Sequence, residues 1–375
     1  MINFWSYKRE YSKIRSNLLR NIDKTIKDGN VFFGKQLQEF EKKFISKYKS
    51  KYGIAVGSGT DALLIALKSI NLKHGDEVIT AANTAIPTIS AIINAGGTPK
   101  LVDVGNDYLI DVKKISKQIT SKTKAIIPVH LYGQMCDMDA INKIAKRKKI
   151  TIIEDCAQSQ GAKFKNKYSG TIGKLGCFSF YPTKILGAYG DGGFILTNDY
   201  NLYKKIKRIR YYGIETVQKT AFKNKYYANE NGINSRLDEI QASILNYKLT
   251  KTDSYIKKRR MIAKKYSKGL SSTTLSLPLE NFNCKHVFHL FTVYHPKASI
   301  IKRKLLNLKI QTRSIYPFPI HKMKAYKKLL KKQNLKNSEK MAKGIFSLPL
   351  YPELKNSEIN KIISSIIKVL KKLKE

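Results

Sequence analysis

Residues 176–193 read GCFSFYPTKILGAYGDGG. The apolar and aromatic run Cys177–Tyr181 predicts a buried strand. Pro182 ends it, because proline has no backbone donor. Lys184 follows at once, with Gly187, Gly190, Gly192 and Gly193 after it. In a lysine-rich chain, one lysine after a strand is ordinarily a solvated loop residue. An amine held at the mouth of a strand and partly desolvated can instead lose its proton and form a Schiff base.

The surrounding residues favour the second use. Ser179 lies five positions before Lys184, close enough for both to meet one ligand. Asp155 closes another apolar strand upstream, and Gly57-Ser58-Gly59-Thr60 opens a helix earlier still. These are the parts of a pyridoxal phosphate site.

Composition sets the frame. The chain has 375 residues, 42% of them hydrophobic, enough for a large core and two domains. It contains no run of about 18 apolar residues, so no membrane span is expected. The first residues lack an apolar signal core and a cleavage site. Cys136, Cys156, Cys177 and Cys284 form no C-x-x-C pair, which fits reduced thiols and a cytoplasmic setting. Lys plus Arg number 71 against 27 Asp plus Glu, a net charge of +44. Such a balance raises nucleic acid as a partner. The basic residues are spread along the whole chain, however, and a dedicated footprint clusters. No nucleic-acid partner is expected; an attraction for anionic substrates is.

Two helical patterns, over 7–27 and 36–48, precede the strand Tyr52–Val56. Strand, glycine turn and helix at 52–67 present free N–H groups to a phosphate, although many tight turns look the same. Predicted strands then cover 78–81, 100–104, 125–130 and 150–155, separated by helices over 86–95 and 138–148. This alternation predicts an α/β domain with a mostly parallel sheet, whose ligands sit beyond the strand carboxyl ends. Thr60, Asp155 and Lys184 all fall there.

Asp155 has two readings. It caps the next turn, or it pairs with a pyridinium nitrogen and keeps that ring protonated. Gln158 then lies near the ring hydroxyl. Period two sends Glu154 the other way. His130, alone at a strand end, reads as structural, and no His or Cys pair sits at metal-ligand spacing. A helix is expected over 199–212, then a long polar loop over 213–232. Ile233–Ile240 reads as a capped helix start, with the helix running past Lys268 and broken near Thr250–Asp253. A strand over 287–295 and a terminal helix from Ser357 build a smaller α+β unit. The stiff segment Tyr316–His321 is placed to reach back to the site.

The motifs together resemble the DegT/DnrJ/StrS family of sugar aminotransferases. The likeness is carried by GSGTDAL at 57–63, GDEVIT at 75–80, IPVHLYGQ at 127–134 and IEDCAQ at 153–158. It continues through SFYPTKILGAYGDGG at 179–193, NSRLDEIQA at 234–242, YPFPIH at 316–321 and SLPLYP at 347–352. It implies an α/β protein of the aspartate aminotransferase-like type, PLP fold type I. A large cofactor domain over 1–250 carries the mostly parallel mixed sheet, and a smaller C-terminal α+β domain covers 251–375.

By that resemblance Lys184 is the Schiff-base lysine, Asp155 the ring-nitrogen partner and Gln158 the residue beside the ring hydroxyl. Gly59, Thr60 and Ser179 hold the phosphate. Asn234 reaches the cofactor phosphate of a neighbouring subunit, which implies a homodimer with shared sites. Tyr316 and His321 are assigned to the substrate. One departure stands out: Ala85 occupies the position where the family often stacks an aromatic side chain on the ring. Retention of Lys184 argues against the dehydrase branch, where histidine replaces it. The expected activity is amino transfer, from glutamate, to a nucleotide-linked keto-deoxysugar, with carbon 3 preferred over carbon 4. The alternative is a regulatory protein that binds pyridoxal phosphate without turnover.

Overall fold

The central strands are short and apolar, and their residues are buried on both faces, as in strands covered by helices on each side. A computed structural model describes residues 1–215, 227–330, 333 and 335–373. The first helices are α1 (Tyr7–Lys27) and α2 (Lys35–Tyr48). There follow β1 (Tyr52–Val56), α3 (Gly59–Ser69), β2 (Glu77–Ala81), α4 (Ile86–Asn94) and β3 (Thr98–Val102). After the single turn α5 (Val112–Ile115) come β4 (Thr123–Ile127), α6 (Met138–Lys148) and β5 (Thr151–Asp155). A hairpin of β6 (Lys163–Phe164) and β7 (Lys167–Tyr168) leads to β8 (Leu175–Ser179), β9 (Gly193–Thr197) and α7 (Tyr200–Ile209).

The main sheet has seven strands in the order β1-β9-β8-β5-β4-β2-β3. From β3 to β8 every pairing is parallel, and β9 runs against both neighbours. The mostly parallel mixed sheet is therefore present. It brings the carboxyl ends of β1, β2, β4, β5 and β8 to one edge, where an α/β sheet binds its ligand. Helix α2 seals the outer side. Its buried face is Leu37, Phe40, Phe44 and Tyr48, at helical spacing. Phe44 stacks on Tyr48 at 4.4 Å and meets Phe178 of β8 at 5.2 Å edge-on.

The helix expected to run past Lys268 is broken where the sequence placed the break, into α8 (Glu239–Leu249) and α9 (Thr252–Leu270). The remaining elements are β10 (Cys284–Lys285), β11 (Phe291–Tyr294), α10 (Ala298–Asn307), α11 (Lys336–Gly344), β12 (Ile345–Leu348) and α12 (Asn356–Lys371). β11 and β12 pair antiparallel, and α9, α10 and α12 bury a separate apolar cluster against them. Ile2 belongs to this cluster. Its N–H donates to Lys309 O at 2.7 Å, so the first residues are strapped to the C-terminal unit.

Several boundaries differ from expectation. The strand predicted over 125–130 stops at Ile127, because Pro128 has no N–H for the ladder. The strand predicted over 177–181 is shifted two residues earlier, to Leu175–Ser179. The strand predicted over 287–295 shortens to Phe291–Tyr294. Phe288 has φ +48°, which breaks extension, and Val287 N–H donates to Gly133 O instead. The loop at 213–232 falls partly outside the described residues.

Candidate active site

The loop carrying Lys184 is held at its base. Phe180 N–H donates to Gly192 O at 2.7 Å, Ala188 N–H to Phe180 O at 2.8 Å and Lys184 N–H to Tyr181 O at 2.8 Å. Ile185 and Leu186 are buried beneath it. Lys184 lines a cavity of about 200 Å³ with Gly59, Thr60, Thr88, Asp155, Gln158, Ser179 and Tyr316. Six of the nine residues singled out from sequence for cofactor, catalysis or substrate thus join Lys184 around one space.

Asp155, the last residue of β5, is buried. Its Oδ2 accepts from Thr88 Oγ1 at 2.9 Å and its Oδ1 from Ala157 N–H at 3.1 Å. No helix starts there, so Asp155 is not a helix cap. Burial raises its pKa, against the pull of those hydrogen bonds and of the Lys184 charge. Lys184 retains some solvent contact as a residue, but its amine is enclosed. Desolvation brings its pKa down to about 8, opposed by the charge of Asp155. Among the described residues no ion pair within 4 Å joins the two. They face one cavity across a gap.

Ser58 caps α3 by accepting from Asp61 N–H at 3.1 Å, which leaves the first N–H groups of the helix open for an anion. A Cβ on Gly59 would lie 2.5 Å from Ser179 Cβ. Only glycine lets the helix start and the end of β8 approach this closely. Gln158 accepts from Tyr132 N–H at 2.8 Å and donates from Nε2 to Tyr316 Oη at 2.6 Å. The proline-framed segment therefore does bring Tyr316 to the site.

A lysine amine, a buried carboxylate lining the same cavity, and a helix N-terminus flanked by two hydroxyl residues match the three poles of pyridoxal phosphate: aldehyde, ring nitrogen and phosphate. The residues present fit that group.

On the far side of β5, Glu154 is fully engaged. Oε2 bonds His130 Nε2 at 2.9 Å and Gly170 N–H at 2.9 Å; Oε1 accepts from Ile172 N–H at 2.7 Å and Gly173 N–H at 2.6 Å. His130 Nδ1 accepts from Cys136 N–H at 3.2 Å, which puts the ring proton on Nε2. His130, Glu154 and Cys156 lie close together, but these hydrogen bonds already satisfy the carboxylate. The cysteines are all free thiols, and Cys136, Cys156 and Cys177 are buried.

Two predicted site residues lie elsewhere. His321 is buried, with Nε2 2.9 Å from Glu339 Oε1, and does not line the cavity. Asn234 is exposed and sits in a bridge with Tyr211. It opens no helix: α8 starts five residues later, and Asp238 caps it by accepting from Gln241 N–H at 2.7 Å.

Sequence reading missed Thr88. The signal was there, since Thr84 and Thr88 stand four apart at the start of α4, and their hydroxyls lie 3.0 Å apart. It also missed a chamber of about 610 Å³ that shares Lys184, Gln158, Tyr181 and Tyr316 with the cavity. Its other walls include Asn3, Phe4, Trp5, Tyr7, His289 and Arg313. No local pattern marks these residues, because they meet only through long-range packing.

Residues 12–367 match the DegT/DnrJ/EryC1/StrS aminotransferase family. The chain belongs to that family. It is 39% identical over 98% of both chains to the dTDP-3-amino-3,4,6-trideoxy-alpha-D-glucose transaminase of Micromonospora megalomicea subsp. nigra. It is 39% identical, over 95% of both chains, to a protein of Geobacillus stearothermophilus named as a pleiotropic regulatory protein. The structure of S. venezuelae DesV in complex with a ketimine intermediate superposes with a TM-score of 0.94, at 33% identity over 98% of both chains. Like the family, this chain is a pyridoxal-phosphate-dependent sugar aminotransferase of fold type I.

Proposed function

We propose that the enzyme moves an amino group from glutamate to carbon 3 of a nucleotide-linked keto-deoxysugar. The carrying observation is that Lys184 and Asp155 line one cavity at the parallel strand ends. The similarity to a transaminase of a 3-amino-deoxysugar nucleotide supports the acceptor class and the position.

Pyridoxal phosphate, when bound, supplies an electron sink for the carbanion formed beside the transferred nitrogen. Lys184 would hold the cofactor and then take a proton from the donor α-carbon; its pKa, lowered by burial to about 8, raises the share of free amine at neutral pH above that of an exposed lysine. Asp155 keeps a proton on the ring nitrogen, and Thr88 and Ala157 orient its carboxylate. Gly59, Thr60 and Ser179 receive the phosphate. Gln158 would lie beside the ring hydroxyl, and its hydrogen bond fixes the phenol of Tyr316, which would face the substrate. His321, tied to Glu339, steadies the segment that carries Tyr316.

The site is shared between two copies of the chain, with Asn234 serving the partner. Asn234 lies beside an exposed aromatic cluster. Phe32 and Tyr212 are 39% and 44% exposed, Phe33 meets Tyr211 at 5.4 Å, and Arg236 covers Phe32 at 4.2 Å. Such a surface calls for a cover.

Mass spectrometry of products from glutamate and a panel of keto-sugar nucleotides tests the reaction. A mass gain for amine replacing ketone, with 2-oxoglutarate formed, is expected; no spectral change with glutamate would point to a protein without turnover. Mixing Lys184→Ala and Asn234→Ala subunits tests sharing. A mixed dimer then holds one intact site, and activity returns only if Asn234 acts across the interface.

A further inference from the structure

A separate chamber of about 610 Å³ lies at the carboxyl edge of the main sheet, beyond β3 and β4 rather than β5 and β8. One wall is made by the loops that follow those two strands. The first supplies Tyr108, and the second supplies Leu131, Tyr132 and Gln134. The other wall comes from the C-terminal unit. Leu290, Thr292 and Tyr294 line the chamber, while Phe291 and Val293 belong to the C-terminal apolar cluster. Period two along β11 thus turns one face into the core and leaves the other to the chamber. Leu131 also lines the cofactor cavity, but neither Lys184 nor Asp155 lines this space.

The chamber presents donors that the protein leaves unmatched. His286, in its wall, is 3% exposed, and its ring stacks on Phe288 at 3.9 Å. Its backbone N–H donates to Glu280 Oε1 at 2.8 Å, and its carbonyl accepts from Arg260 at 2.6 Å. Its Nδ1 accepts from Phe288 N–H at 2.9 Å, so the ring proton sits on Nε2. Burial and the Arg260 charge bring its pKa down to about 3, which keeps the imidazole neutral. Among the described residues nothing accepts from Nε2. Lys340 of α11 also lines the chamber. It is exposed, 5.8 Å from the Tyr294 ring centre, and joins no ion pair among the described residues. The acid in the wall, Asp107, is already used: Oδ1 accepts from Leu109 N–H at 3.1 Å and Oδ2 from Asn281 Nδ2 at 2.8 Å. The rest of the lining is largely apolar or aromatic, with Leu131, Leu290 and Met341 beside the tyrosines. A fixed N–H and a free ammonium beside such surface match an anionic head group on an apolar ring.

We propose that this chamber is a second binding site, for a ring-bearing organic acid whose carboxylate or phosphate takes the His286 Nε2–H and the Lys340 ammonium and whose ring packs on Tyr108 and Tyr294.

The test uses holoenzyme with its cofactor fixed by borohydride, so that no probe can react. Calorimetric titration compares phenylacetate, phenyl phosphate and the neutral phenylacetamide. The variants are Lys340→Met, His286→Asn and Lys343→Met, the last an exposed lysine of α11 outside the chamber. Asparagine can still accept from Phe288 N–H, but its shorter side chain leaves the Nε2 position empty. At least one acid should bind, and phenylacetamide should bind at least about tenfold more weakly. Lys340→Met should weaken that acid by roughly tenfold and His286→Asn by about threefold to tenfold. Lys343→Met should bind as wild type does. The tighter of the two acids identifies the head group. Binding of neither acid at about 10 mM would overturn the proposal. So would equal affinity for acid and amide, full affinity in Lys340→Met, or an equal loss in Lys343→Met, which would reduce the effect to overall charge. Should His286→Asn unfold by circular dichroism, the two lysine variants still decide.

Discussion

Behind the carboxyl end of β5, Glu154 meets His130 and three backbone N–H groups. In front of it, Asp155 meets one hydroxyl and one N–H and then faces a cavity. The two carboxylates are neighbours in sequence and both are buried. What separates them is how much of their hydrogen-bonding capacity the protein itself consumes. A carboxylate offers about four lone-pair sites. Glu154 spends them on the loop at 170–173 and on His130, and so acts as a rivet. Asp155 keeps capacity in reserve for a ligand.

Four measurements would break or sharpen that contrast. The largest effect belongs to Lys184, the amine facing Asp155. Lys184→Ala should lower turnover by at least about a thousandfold while leaving phosphate-held cofactor detectable by mass spectrometry. Borohydride should fix the cofactor to the Lys184 peptide of the wild type, and label on another lysine would break the assignment. Next comes Asp155→Asn, which keeps shape but cannot hold a ring proton. Normal folding with a glutamate half-reaction slowed by several orders of magnitude is expected. A loss below about tenfold, about 1.4 kcal/mol of barrier, would make the front of β5 as structural as its back.

The third concerns pH. Lys184 titrates at about 8, below its usual 10.5. Capture of added pyridoxal phosphate by cofactor-free protein should therefore quicken by about tenfold per pH unit below that value and level off above it. The Asp155 charge holds the lysine pKa up, so Asp155→Asn should move the plateau to lower pH. A plateau that stays put, or one near 10.5, would contradict the enclosed amine. The smallest effect on chemistry is expected for Glu154→Gln. Its amide places an N–H where donors already point, and urea unfolding should show a loss of about 2–3 kcal/mol. Refolded protein should keep the Lys184 titration. If Glu154→Gln shifted that titration while leaving stability intact, the division of labour along β5 would be reversed.

The front of the site was legible because its residues occur in short local patterns. Strand, proline and lysine at 176–184 and the glycine turn at 57–60 each declare a strand end. Alternation of strands and helices then places those ends on one edge. The opposite faces of Glu154 and Asp155 followed from period two, and the structural role of His130 from its isolation. Other features depend on partners that no local pattern specifies. Arg313, His289 and the strap Asn3–Tyr7 line one chamber only because the N-terminus packs on the C-terminal sheet. His321 turned to Glu339 instead of the cavity, a choice made by α11 rather than by the Pro-framed segment itself. The capped helix start read over Ile233–Ile240 falls at the end of that span, where Asp238 caps α8. The shortened strand at 291–294 depends on Phe288 adopting positive φ, which a bulky residue rarely does.

The single reversed strand, β9, has a consequence for the order of assembly. It lies between β1 and β8, pairing Val56 with Gly193 and Ser179 with Gly193 across the two seams. A Cβ on Gly193 would come within 2.2 Å of Ser58 O, so this strand also packs directly on the anion-binding turn. Until the ribosome has delivered residues 193–197, β1 and β8 have unpaired edges and the turn has no floor. The closing contact is also among the most distant in sequence within the sheet, and loop closure over such a span comes late and slowly. Cofactor capture should therefore be a late event in biogenesis, and yellow colour a sign that the whole sheet has closed.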